Sequence, residues 1–225
     1  MKNKVDIIIL AYTMDLKAHQ MTQACIDSAV QLDPQIDFNI LLIESNAISY
    51  FTYKLATRII PKIPFNYNLY LNIGLNYCRK DTDLIVFANN DLLFTNQWAS
   101  NLLKAFETHK LDSACPLEPR HHLFIPNDSV KIGTAFRQEV IGWCIAVKPK
   151  TIEIIGKFDD QFNFYFQDND YIMNLKKHKL KHGLVCNSVV YHLLSQSHRF
   201  LTKEEREYLA KDGKEKFQKK WNVKI

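Results

Sequence analysis

The stretch LIVFANNDLLF, Leu84 to Phe94, sets Asn89, Asn90 and Asp91 between two apolar runs. A surface turn accounts for the polarity, because Asn and Asp tolerate turn conformations. It does not account for a carboxylate held between apolar segments. A ligand site does, at the carboxyl edge of a sheet where open α/β folds bind small molecules. A second polar cluster, Gln167, Asp168, Asn169 and Asp170, opens a helical pattern directly behind Phe164, Tyr165 and Phe166. Acidic residues there suit the positive end of the helix dipole, so capping alone explains them at this level. His192 ends a third apolar run, GLVCNSVVY, where a histidine serves either as a packed structural residue or as a ligand. His121 and His122 lie in a proline-rich stretch and face solvent or a bound substrate.

Glycine usage narrows the ligand. The six glycines, at 74, 133, 142, 156, 183 and 213, cannot be arranged as GxGxxG or as GxxxxGK[ST]. A dinucleotide-binding Rossmann domain and a P-loop enzyme are therefore excluded. A diphosphate bound without a glycine cradle needs another source of positive charge. A divalent cation held by carboxylate and imidazole groups is the economical one, and Asp91 offers a hard oxygen to Mg2+ or Mn2+.

Composition is compatible with an enzyme of this kind. The 225 residues are 47% hydrophobic and 12% aromatic, enough for one large core, and a single domain is expected. Five scattered cysteines without a CxxC pair argue against a disulfide framework or a zinc site and favour a reducing cytoplasm. The apolar run after the first lysines is interrupted by Asp6 and is too short for a signal peptide or a membrane span. The net charge of +5 is mild and gathers partly in KDGKEKFQKK, which reads as a solvated helix face.

The elements that would position these residues alternate. VDIIILAY (5–12) and FNILLIE (38–44) are β-branched apolar runs around a helical pattern from Ala18 to Leu32, hence a βαβ unit with parallel strands. Leu71, Gly74, Leu75 and Cys78 recur at helical spacing, LIVFA (84–88) reads as a third buried strand, and Trp98, Leu102, Ala105 and Phe106 mark one helix face. The stretch from Cys115 to Asn127, with three prolines, reads as a long loop. VIGWCIAVK (140–148) reads as a strand, KTIEIIG (150–156) as a short helix closed by Gly156, and Asp168 to Lys177 as a helix. Thr202 and Glu205 form a capping box for a C-terminal helix to about Lys219. The expected fold class is α/β, a mostly parallel sheet flanked by helices.

Taken in order, these motifs resemble the GT-A glycosyltransferases, specifically family 2. The resemblance rests on the opening strand VDIIILAYT, the acidic strand end LLIESN, the helix NIGL, the NND tripeptide in the place of a DxD motif, and the tryptophan helix NQWASNLLKAF. It extends through GWCIAVKPKTIEIIGKFDDQFNFYFQDNDYIMNL, where QDND stands in the place of an acidic motif on the acceptor side. It implies three parts: a nucleotide-sugar-binding half (1–110), an acceptor and catalytic half (111–198) and a C-terminal helix (199–225). It also implies transfer of a sugar from a nucleotide sugar to an acceptor hydroxyl with inversion.

Asp168 is implied as general base, with Asp170 as a second catalytic carboxylate, and burial beside the aromatic run would raise the pKa of the base. Ala11, Tyr12, Thr13 and Glu44 would contact the nucleoside, and Asn72, Asn89, Asn90 and Asp91 the rest of the donor. Asp91 and His192 would hold Mn2+ or Mg2+ on the diphosphate, and His198 is a weaker candidate for the same role. Arg120, His121 and Trp143 would bind the acceptor, a glycan or a modified base in DNA. Three departures from the family pattern stand out: Asn89 replaces the first carboxylate of DxD, Gln167 replaces a glutamate, and Asn174 stands where relatives carry arginine. The loss of two motif carboxylates leaves an inactive sugar-binding module as a rival reading. The positive charge and aromatic side chains leave a nucleic-acid-binding one.

Overall fold

The computed structural model describes residues 2–122, 127–193 and 202–224. In chain order the elements are β1 (Lys4–Ala11), α1 (Leu16–Gln31), β2 (Asp37–Glu44), β3 (Ala56–Ile59), α2 (Tyr67–Leu75), β4 (Leu84–Asn89), β5 (Leu92–Phe94) and α3 (Trp98–His109). The second half continues with β6 (Ser113–Leu117), α4 (Pro119–His122), β7 (Val130–Ile132), β8 (Cys144–Val147), α5 (Pro149–Ile155), α6 (Gln167–Lys177), β9 (His182–His192) and α7 (Lys203–Trp221).

Side chains on a strand alternate between its two faces, so a strand buried on both sides is apolar throughout. In β1, Val5, Ile7, Ile9 and Ala11 enter one core with Cys25, Ile26 and Ala29 of α1 and Trp98, Leu102 and Phe106 of α3. Ile8 and Leu10 enter the other, with Tyr70 and Leu71 of α2 and Tyr171, Ile172 and Leu175 of α6. The charge of Asp6 is fully buried in β1 and is met by Arg79, whose Nε donates to Oδ1 at 2.7 Å. That ion pair lies at the start of the strand.

Among the described residues the sheet has nine strands, in the order β3-β2-β1-β4-β8-β6-β9-β5, with β7 added on β9. It is parallel through β3-β2-β1-β4 and mixed beyond, with β8 antiparallel to β4 and β6 parallel to β9. This is the expected α/β sheet between helices. The capping box forms as read, Glu205 N–H donating to Thr202 Oγ1 at 3.1 Å and Thr202 N–H to Glu205 Oε2 at 2.7 Å, and α7 continues to Trp221.

Two local readings need correction. The first half of the supposed loop from Cys115 to Asn127 is strand β6 followed by the one-turn helix α4. Pro116 is tolerated there because β8 pairs only with Ser113 and Ala114, and the ladder to β9 shifts register after Pro116. The strand expected from Val140 to Lys148 is confined to Cys144–Val147, because Gly142 and Trp143 are turned into the cleft described next. His198 and residues 123–126 lie outside the described residues.

Candidate active site

The register of the parallel strands brings their ends to one edge. Ala11 stands opposite Glu44, and Leu10 opposite Asn89. Because β8 runs antiparallel to β4, its start faces the end of β4, with Cys144 opposite Ala88 and Asn89 N–H donating to Trp143 O at 2.9 Å. A cleft of about 910 Å³ opens over this edge. Ala11, Tyr12, Asn89, Asn90, Asp91, His121, Trp143, Asp168 and His192 all line it, which unites most of the residues singled out from sequence.

Asp91 occupies the turn between β4 and β5, and β5 then pairs antiparallel with β9 so that Leu92 faces His192. This pairing sets His192 Nε2 3.1 Å from Asp91 Oδ1, with both side chains almost wholly buried. The nitrogen is not aligned for a hydrogen bond and has no hydrogen-bond partner. Trp143 stacks on the imidazole at 5.6 Å between centroids and 21° between planes, which fixes the ring's orientation. The Asn90 amide is held from behind, donating to Thr22 Oγ1 at 2.8 Å. A carboxylate oxygen and an unpartnered imidazole nitrogen side by side match a hard divalent cation such as Mn2+ or Mg2+. No group of three or more His, Cys, Asp or Glu able to cage an ion exists among the described residues, so a bound cation would need diphosphate oxygens and water to complete its shell.

Asp168, which lines the same cleft, lies in the first turn of α6. Burial raises its pKa to about 6, against the lowering effects of the Gly142 backbone N–H and, more weakly, Arg137. The contact with Gly142 is so close that a Cβ added there would lie 2.0 Å from Asp168 Oδ1. Only glycine permits it. Tyr67 donates to the Gly142 carbonyl at 3.3 Å. Burial first, and the neighbouring Asp168 next, keep its phenol protonated far above the ordinary range. Phe166 enters α6 in the left-handed region, φ 69°, a costly conformation for an aromatic residue. Phe217 of α7 packs on it at 5.5 Å, and Gly213 allows α7 to approach the Tyr165 carbonyl.

Several expected site residues lie elsewhere. Asp170 is buried outside the cleft, where Trp221 Nε1 donates to its Oδ1 at 2.8 Å and Lys220 Nζ lies 2.7 Å away, so it fastens α7 to α6. Asn72 clamps Phe158 through both amide atoms, Nδ2 to the carbonyl at 2.8 Å and Oδ1 from the N–H at 2.9 Å. Arg120 does not line the cleft. It pairs with the buried Glu118 at 2.9 Å and donates to the His192 carbonyl, bracing the end of β9. Thr13 and Glu44 sit behind the cleft wall, where Glu44 Oε1 accepts the N–H groups of Thr13 at 3.0 Å and Asn46 at 2.8 Å while its Oε2 is buried without a partner. Sequence reading passed over Tyr67, Phe136, Arg137 and Gly142, all on the cleft wall. Only Gly142 carried a signal, a glycine inside an apolar run, which marks close backbone approach.

No protein-family model matches the chain, and no curated protein matches it in sequence. Among solved structures, it is similar to GalNAc-T7 with UDP, GalNAc and Mn2+, at TM-score 0.65 and 10% identity over 85% of this chain and 44% of that one. The chain thus spans less than half the length of the GalNAc-T7 chain. It is also similar to the catalytic domain of Drosophila β1,4-galactosyltransferase 7 in complex with xylobiose, at TM-score 0.56 and 14% identity over 92% of this chain and 79% of that one. Identities this low speak to architecture alone, and the architecture is the GT-A-type glycosyltransferase fold.

Proposed function

We propose that the protein is a nucleotide-sugar-dependent glycosyltransferase of family 2 type that transfers a sugar to an acceptor hydroxyl with inversion. One observation carries this reading: a single cleft is lined by both the Asp91–His192 pair and Asp168, a carboxyl group whose pKa of about 6 suits a base near neutral pH. Asp168 takes the proton of the acceptor hydroxyl, whose oxygen attacks the anomeric carbon as the bond to the diphosphate breaks. Gly142 N–H and the bracing of α6 keep the carboxylate aimed at that hydroxyl. Asp91 and His192 would hold Mn2+ or Mg2+, which supplies the positive charge that stabilises the leaving diphosphate. Ala11 and Tyr12 form the wall nearest the nucleoside.

The fold likeness supports the donor class, since GalNAc-T7 was crystallised with UDP and Mn2+. The xylobiose in the second neighbour supports a saccharide acceptor over a modified DNA base. The neutral Asn89 in place of a carboxylate gives this site one negative charge fewer, so metal should bind well only together with nucleotide.

Calorimetric titration of UDP with and without Mn2+ tests the reading. Binding should depend on the metal and weaken by roughly tenfold or more in Asp91→Asn, as expected when a charged metal ligand is lost. Asp168→Asn should bind UDP as the wild type does. A wild-type protein that ignores UDP and Mn2+, or an Asp91→Asn protein with unaltered affinity, would sink the assignment. Proton NMR of the product against the donor reads the anomeric configuration, and retention would reject the single displacement.

A further inference from the structure

Phe136 and Arg137, on the loop from Gly133 to Val140, form cleft wall whose one part in the chemistry above is the weak electrostatic pull of Arg137 on the Asp168 carboxyl. Arg137 sits on that loop in the left-handed region, φ 59°, which is disfavoured for any residue but glycine. Several hydrogen bonds hold it there. Its N–H donates to Val140 O at 3.0 Å, and the N–H groups of Gln138 and Val140 both donate to Ala135 O at 3.2 Å. Two histidines of α4 pin the loop from the other side, His121 Nε2 on Arg137 O at 3.0 Å and His122 Nε2 on Gln138 O at 2.9 Å. His122 Nδ1 in turn lies 3.0 Å from both the N–H and the carbonyl of Glu118, which seats the ring against the start of α4.

All this scaffolding presents one guanidinium. Its carbon lies 5.2 Å from the centroid of Phe136, and both side chains line the cleft. Among the described residues no carboxylate forms an ion pair with it. The nearest acid in sequence, Glu139, is engaged with the loop backbone, where Oε2 accepts the Ala135 N–H at 2.9 Å.

The loop is also fastened to the helix that carries Asp168. From Tyr171 of α6, a buried chain of hydrogen bonds runs through Ser113 at 2.6 Å and His182 at 2.8 Å to the Glu139 carbonyl at 2.9 Å. Arg137 therefore belongs to the half of the cleft that holds the base, while the Asp91–His192 pair sits where the diphosphate is expected.

We propose that Arg137 is a specificity residue that receives an anionic group, carboxylate or phosphate, on the acceptor saccharide. The acceptor is then an acidic sugar, with the rings of Phe136 and Trp143 offered to its apolar faces. A planar fork of N–H donors fits either anion in a bidentate fashion. The assignment of this half of the cleft to the acceptor rests on the transferase reading.

The test is ligand-observed NMR titration of methyl β-glucuronide, glucose 6-phosphate and the neutral methyl β-glucoside, with and without UDP and Mg2+. Wild type, Arg137→Gln and Arg137→Lys are compared, and UDP affinity is measured separately for each. The wild type should bind one of the two anionic sugars roughly tenfold more tightly than the neutral one, the scale of one charge-assisted hydrogen-bonding contact. Which of the two wins identifies the anion. Arg137→Gln should abolish the preference, Arg137→Lys should keep only part of it, and UDP affinity should stay the same throughout. Equal binding of charged and neutral sugars by the wild type, or a preference that survives Arg137→Gln, overturns the proposal. Loss of UDP affinity in Arg137→Gln also overturns it, because the guanidinium would then serve the donor. A wild type that binds no UDP defeats the transferase reading instead, while the charge preference measured without nucleotide still decides the role of Arg137.

Discussion

At the scale of single residues, Asp168 and its glycine neighbour govern the chemistry. Only the ionised carboxylate can accept a proton, so kcat should fall with acid through a single ionisation near pH 6, the pKa that burial imposes. Asp168→Asn keeps the shape without the base and should lower kcat by roughly 10²-fold or more at unchanged UDP affinity. Gly142→Ala drives a methyl group against Asp168 Oδ1 and should move the carboxylate off its N–H donor. Turnover should drop by roughly tenfold or more, as for other small misplacements of a catalytic group, with the circular dichroism of the fold preserved. A Gly142→Ala enzyme with normal turnover and a normal pH profile would mean that the contact has no part in catalysis. Asp168 and Asp170 look alike in sequence, both acidic and both in the first turn of α6. Two residues of helix turn the side chain by about 200°, so one faces the cleft and the other faces α7.

The element that decides how firmly Asp168 is held is α7. Its last turn sends Trp221 and Lys220 to Asp170, and Lys220 also reaches Asp159 at 2.8 Å. Lys220→Met would leave two carboxylates facing each other without their shared cation and should cost about 2 to 3 kcal/mol of stability, below a fully buried pair because the lysine is partly exposed. Trp221→Phe removes one donor from a buried carboxylate and should cost roughly 1–3 kcal/mol. Chemical denaturation measures both. In each variant kcat should suffer more than UDP affinity, because α6 carries the base and the nucleotide edge belongs to β1, β2 and β4. Equal losses in both would mean that α7 supports the whole domain and not the base. The capping box at the start of this helix was plain in the sequence, being a local pattern. Its docking was not, since nothing in KDGKEKFQKKW distinguishes a lysine that meets Asp170 from its exposed neighbours.

For the molecule as a whole, the base carries a cost in stability. The folded pKa of Asp168, about 6, lies above the ordinary aspartate value of 3.8, so the folded state binds the proton more tightly than the unfolded chain. The resulting stabilisation is complete below pH 3.8 and is lost as the pH rises through 6. Asp168→Asn never titrates. Its stability advantage over the wild type should therefore widen from pH 4 to pH 8, by at most ~3 kcal/mol and by less where cleft water screens the charge. Parallel denaturation curves across that range check it, and a gap that stays constant would reject the raised pKa. His182 works in the opposite direction. Burial lowers its pKa from 6.5 to about 4, so the stability of the neutral ring is present above pH 6.5 and is lost as acid approaches pH 4.

What the sequence determined by itself was set by short-range geometry. Runs buried on both faces read as strands, 3.6-residue periods as helices, caps as their ends, and the absence of a glycine cradle excluded two ways of binding nucleotides. Asp91 and Asp168 were visible for the same reason, each being a carboxylate at the boundary of an apolar segment. Tertiary structure decided the rest. β5 is three residues long and β6 contains a proline, so neither announces itself, yet the pairing of β5 with β9 is what brings His192 to Asp91. Arg137 had no local mark at all, because it faces the cleft through the hydrogen bonds of α4 and His182 to its loop. Those contacts join residues far apart in the chain, and their register follows from how whole elements pack, which no window of neighbouring residues encodes.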